Sequence, residues 1–146
     1  DPPVPAKQRL PALWPGSGQM EPQYHFHPMN DVLFETQSQV IQELAQKEDC
    51  IIVGRCANYV LGDKCFSLFV YAPFEYRVQS IMERLGREEK SARALVKKMD
   101  KTRRSYYEFF TDEKWKDLSN YQMCIDTSRF DQEFLLKLLA DVYAAL

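Results

Sequence analysis

Two stretches of this chain carry residue types that could hold an anion. In CIIVGRCANYVL, residues 50–61, an apolar run stops at Gly54, turns through Arg55 and leads into a helical pattern. A missing Cβ at Gly54 lets a ligand or a neighbouring backbone come close, and the Arg55 guanidinium is a planar fork matched to two phosphate oxygens. On spacing alone the plainer account is preferred: a turn glycine beside a surface arginine.

The second stretch is basic. Of the 19 Lys and Arg residues, 12 lie between Phe74 and Lys116, and KKMDKTRR at 97–104 is the densest part. At about 100° per residue, Lys97, Asp100, Arg103, Arg104 and Tyr107 share one helix face, and Leu95, Met99, Tyr106 and Phe110 share the adjacent one. Asp100 is spaced to brace Arg103 or Arg104 at i+3 and i+4, which would orient a guanidinium for two-pronged phosphate contact. A routine surface ion pair accounts for the same spacing equally well.

Other chemistries have less support. The chain contains no GxxxxGK[ST] donor loop; the nearest text, PGSGQM at 15–20, has no apolar strand before it and no basic residue after it. His25 and His27, alternating with Tyr24 and Phe26, read as one face of a short strand rather than metal ligands. Cys50, Cys56, Cys65 and Cys124 form no CxxC pair and no Cys/His cluster, so no metal site is expected. They are expected to be reduced, mostly buried thiols of a cytoplasmic protein.

These residues need a framework. Seven of the eight prolines fall in residues 1–30, where an irregular segment is expected. After it, one α/β domain is expected over residues 31–146. Asn30 or Asp31 should cap a helix reaching Lys47, with Leu33, Val40, Ile41 and Leu44 inward. CIIV at 50–53, FSLFVYA at 66–72 and YQMCID at 121–126 read as strands, and the first two, apolar on both faces, as members of a parallel sheet flanked by helices. A short helix fits 57–61. A longer one opens at Pro73, carries Val78, Ile81, Met82 and Leu85, and stops at Gly86. Another runs from Glu88 toward Phe110, and a last one, over about 131–146, should bury Phe134, Leu135, Leu138, Leu139 and Val142. In a parallel sheet, Gly54-Arg55, Pro73 to Arg77 and Asp126-Thr127-Ser128 all follow strands and should meet on one rim. Three strands make a narrow sheet, as if one were missing.

With 146 residues, 45% of them hydrophobic, the chain suits a single core. A net charge of −2 and a pI near 5.7 argue against a nucleic-acid partner, and no apolar run has the length of a membrane span.

Together, IIVGRCANYVL, VYAPFEYRVQSIMER, KKMDKTRRSYYEFFTDEKW and NYQMCIDTS resemble the cytidylate kinase-like family of P-loop nucleoside monophosphate kinases, from about Asn30 to the C-terminus. The resemblance implies a P-loop NTP hydrolase-like fold and phosphoryl transfer from ATP, with Mg²⁺, to CMP or a related nucleotide. It implies that Gly54 and Arg55, with Arg77, bind the acceptor nucleotide. Asp100, Arg103 and Arg104 would be the catalytic residues of a lid over about 88–117, closing on the phosphates. Arg84, like Arg77, matches a basic position on the helix before the lid. Tyr106, Tyr107 and Trp115 match its aromatic part, where packing is preferred to base stacking.

Two departures accompany the resemblance. Cys56 stands where the GRD turn of better-known relatives has an aspartate, so a preference for cytosine does not transfer. Such kinases also begin with a central strand and a glycine-rich loop, and no such block precedes Asn30. The slot must then close, take in another segment, or be filled by a second copy, since neighbouring strands lie about 4.8 Å apart. The expectation is a fragment or altered product of a longer kinase, inactive with ATP by itself. The alternative is a non-catalytic nucleotide-binding or dimerising module.

Overall fold

The computed structural model describes residues 28–146, in which five helices and two strands alternate. The irregular N-terminal segment and the His25/His27 pair lie outside the described residues. Helix α1 spans Pro28–Lys47, α2 Ala57–Leu61, α3 Phe74–Leu85, α4 Glu89–Thr111 and α5 Gln132–Ala144; strands β1 and β2 are Leu68–Tyr71 and Met123–Asp126. The strands run parallel, with Leu68 opposite Met123 and Tyr71 opposite Asp126.

The core forms where α3 crosses α4. Ala92, 0% exposed, and Val96 meet Val78, and Phe74, Ile81 and Met82 close around them. Ala92 is small where the two helices pack, and Val78, Ile81 and Met82 recur at the helical period expected of an inward face. α3 follows Pro73, whose fixed φ of −54° delivers the chain extended into the first turn, and it ends at Gly86 with φ 62°. Both boundaries match the expected ones.

The sheet is smaller than expected. Residues 50–53 do not form a strand: Ile51 is 95% exposed and Val53 75% exposed. A strand is held by a hydrogen-bonded neighbour, and among the described residues none lies alongside this segment. β1 is likewise covered only in part, with Val70 and Tyr71 open to solvent. Beyond the regular ladder, pairing continues irregularly at Ser67, whose carbonyl accepts from the N–H groups of Gln122 and Met123 at 2.9 and 3.3 Å.

Two helices bury less than their apolar patterns suggest. In α1, Ile41 is buried and Leu33 is exposed. In α5, capped by Asp131 through the Phe134 N–H at 2.7 Å, no residue is buried, and Phe134, Leu136 and Tyr143 stand exposed. A helical apolar stripe needs a partner surface, and α5 touches the body only lightly, for example where the Tyr143 hydroxyl donates to Asp49. Among the described residues, no helix is long and apolar enough to cross a membrane.

Candidate functional site

Gly54, Arg55 and Cys56 have φ of 70°, 63° and 55°, and the Ala57 N–H donates to the Gly54 carbonyl at 3.2 Å. This is a tight left-handed turn with a hydrogen bond spanning three residues. Glycine accepts such a backbone freely, whereas each residue with a Cβ costs about 1–2 kcal/mol. Two such residues in succession mean that the surroundings hold the turn in place.

Those surroundings are α1 and α4. Gln37 of α1, a buried polar residue, extends its amide Nε2 to within 3.5 Å of the Arg55 carbonyl and 3.4 Å of the Tyr106 hydroxyl. Tyr106 also hydrogen-bonds the Arg55 side chain, whose Nη2 is buried. Burial raises the Tyr106 pKa, and nearby Cys56 adds to the rise, while Gln37 and Arg55 oppose it. Phe34 stacks on Phe110 at 4.4 Å between ring centres, packing α1 onto α4 beside this cluster. Burial also pushes the Cys56 thiol up to about 12, against the pull of Arg55.

Further along α4 sits Arg77 of α3. Its Nε donates to the Ala72 carbonyl at the end of β1 at 2.9 Å, and its Nη1 to both oxygens of Asp100 at 2.8 and 2.9 Å. Asp100 therefore braces Arg77, on another helix, and its charge also acts on Arg103 at i+3. Arg103 and Arg104 are both exposed. Partial desolvation of the Arg103 guanidinium by its neighbours lowers its pKa; Asp100 opposes the shift and Arg77 adds to it.

Asp100, Arg103 and Tyr106 follow one another at three-residue steps, so about 9 Å of α4 carries Arg77, Arg103 and Arg55 in turn. Three guanidinium groups from three elements thus lie along one helix. Of the expected rim, Pro73 to Arg77 and Asp126 to Ser128 follow the parallel ends of β1 and β2. Asp126 is committed there to local structure, accepting from Ser128 N–H and Oγ at 2.9 and 2.6 Å. Gly54-Arg55 follows no strand and meets α4 at Tyr106.

Tyr107 departs from its expected place among the charged residues. It is 5% exposed, in one buried stripe with Ala92, Val96 and Thr111, and its hydroxyl meets Asn58 at 3.1 Å and Glu113 at 3.3 Å. Trp115 packs edge-on against Phe69, and its carbonyl accepts from the Tyr121 hydroxyl at 2.6 Å. The aromatic residues at this end of α4 pack it onto the body. Gln37 was not anticipated. Its signal is a polar residue four before Ile41 and seven before Leu44, on the inward face of α1.

A family model described as the cytidylate kinase-like family matches residues 9–129. The chain belongs to the cytidylate kinase-like family. The matched span contains Arg55, Arg77, Asp100, Arg103 and Arg104 and stops short of α5. Among curated proteins, the chain is 25% identical over 108 residues to a cytidylate kinase of Methanopyrus kandleri, an alignment covering 67% of this chain. The chain spans 56% of the length of that relative. Among solved structures it is similar to an uncharacterized protein from Eubacterium ventriosum, with TM-score 0.73 and 31% identity over 83% of this chain and 69% of the other. Membership in this family points to nucleotide kinase-like function.

Proposed function

We propose that the chain carries the acceptor-phosphate side of a nucleoside monophosphate kinase with a P-loop NTP hydrolase-like fold, acting on CMP or a related nucleotide. The carrying observation is the left-handed turn at Gly54 to Cys56, where two residues with side chains accept a costly backbone so that Arg55 is presented from a fixed point. Arg55 grips the monophosphate. Arg103 and Arg104 supply positive charge along α4, where charge develops on the transferring group. Arg77, bonded to Ala72 through Nε and to Asp100 through Nη1, shapes this site and ties α4 to the end of β1.

ATP as donor and Mg²⁺ as its counter-ion follow from the family reading. Among the described residues no group of three His, Cys, Asp or Glu side chains gathers; Mg²⁺ at such sites is held largely by the nucleotide phosphates and water, with few protein ligands.

The test is calorimetric titration of the chain with CMP and then other nucleoside monophosphates, each with and without Mg-ATP. Saturable CMP binding that Arg55→Ala abolishes while the protein stays folded supports the reading. Ala keeps the Cβ, so the turn carries the same strain; the guanidinium is lost together with its hydrogen bond to Tyr106, which should lower the melting temperature modestly. CMP affinity unchanged in Arg55→Ala overturns it.

A second reading, a non-catalytic nucleotide-binding or dimerising module, is favoured by the exposed Ile51 and Val53. Sedimentation separates the two: a dimer dissociated by Ile51→Lys, with no phosphoryl transfer, supports the second.

A further inference from the structure

We propose that Gln37 is a positioning residue for the phosphate arginine: its buried amide, set between the Arg55 carbonyl and the Tyr106 hydroxyl, ties the left-handed turn to α1 and α4. This rests on the acceptor-phosphate reading of Arg55 and adds to it a means of holding that residue.

Three observations carry the inference. Gln37 is 6% exposed on a face otherwise occupied by Ile41, where an apolar residue would serve packing better, and a buried amide is costly unless its hydrogen bonds are made. Its Nε2 reaches two groups on two different elements, the turn and α4. The turn it touches is the strained one, with both Arg55 and Cys56 left-handed. A donor on the Arg55 carbonyl holds the peptide in an orientation that the chain would otherwise relax, and the shared contact with Tyr106 aligns that peptide with the helix bearing Arg103. At 3.5 and 3.4 Å both contacts are longer than the roughly 2.7–3.2 Å usual for such bonds, so each is weak by itself and the amide acts through the two together.

The test compares Gln37→Leu and Gln37→Glu with the unaltered chain. Titrations use CMP and cytidine, and amide exchange is followed at Ala57, whose N–H closes the turn. Gln37→Leu should weaken CMP binding roughly 3- to 10-fold, the worth of one hydrogen bond, and leave cytidine binding unchanged. It should also speed exchange at Ala57 while β2 keeps its protection. Gln37→Glu keeps the volume but offers a carboxylate in place of the amide donor. It cannot donate to the Arg55 carbonyl and competes with phosphate for the guanidinium, so CMP binding should fall further.

Unchanged CMP affinity and unchanged Ala57 exchange in a folded Gln37→Leu protein overturn the inference. So does equal loss of CMP and cytidine, and so does failure of both variants to fold, which would make Gln37 a determinant of the fold alone. Failure of the underlying reading is separately visible: Arg55→Ala would then leave CMP binding untouched, whatever Gln37 does to exchange at Ala57.

Discussion

Arg77 and Asp100 are joined through a single nitrogen: Nη1 donates to both carboxylate oxygens, while Nε of the same guanidinium holds the Ala72 carbonyl. One side chain thus connects the end of β1, α3 and the middle of α4. Its partner is 21% exposed and Arg77 itself 30% exposed, so the pair is only partly screened by water. Arg77→Ala, Asp100→Ala and the double variant should give a coupling of about 1 kcal/mol in denaturant unfolding. Arg77→Lys should not restore it, because an ammonium lacks the fork that serves two acceptors at once. Additive single effects would show that the pair carries no stability. Arg93, by contrast, joins Glu75 and Glu89 in the open at 2.6 and 3.0 Å, and Glu89→Ala should leave the unfolding midpoint unmoved.

Gly86 allows a backbone effect to be isolated. It ends α3 with φ 62°, and a Cβ built there meets nothing within 4 Å. Gly86→Ala should therefore cost about 1–2 kcal/mol from conformation alone, with no clash to relax. An unchanged midpoint would mean that the helix end readjusts.

Much of the framework was legible in the sequence because its signals are local. Pro73 and Gly86 bracket α3, the period of Val78, Ile81 and Met82 marks its buried side, and the last helix begins close to the expected residue 131. The 50–53 run shows the limit of such signals. Its composition fits a buried strand, but a strand exists only with a neighbour, and pairing is not a local property. α5 fails in the same way, its stripe being real and largely uncovered. At the candidate site, residue types and spacing singled out Arg55, Arg103 and Arg104, with plainer accounts at least as good, and the family resemblance added Arg77. The partners Gln37 and Ala72 lie far from them in sequence or are ordinary backbone, which spacing cannot reveal.

The exposure of Ile51 sets up a decisive substitution. If residues 50–53 packed as a core strand, Ile51→Ala would cost about 2–5 kcal/mol. With the side chain 95% exposed, the expected change is within about 0.5 kcal/mol. Chemical denaturation of the purified chain distinguishes these values, and a large loss would show that the segment is covered in solution.

The thiols and phenols around α2 and α4 predict sensitivity to alkali. Burial raises the pKa of Cys56 to about 12, and it raises those of Cys65, Tyr106, Tyr107 and Tyr121 as well. An acid whose folded pKa lies above its unfolded value keeps its proton in the native state while the unfolded chain releases it. Stability from Cys56 is therefore full below about pH 9 and is lost progressively as pH rises toward 12. Unfolding midpoints measured from pH 8 to 11 should fall with a slope that Cys56→Ala makes shallower. In the native protein at neutral pH, a thiol reagent should modify exposed Cys50 first and buried Cys56 last, because it is the thiolate that reacts. Rapid modification of Cys56 under native conditions would mean that the left-handed turn opens readily, and with it the position from which Arg55 is presented.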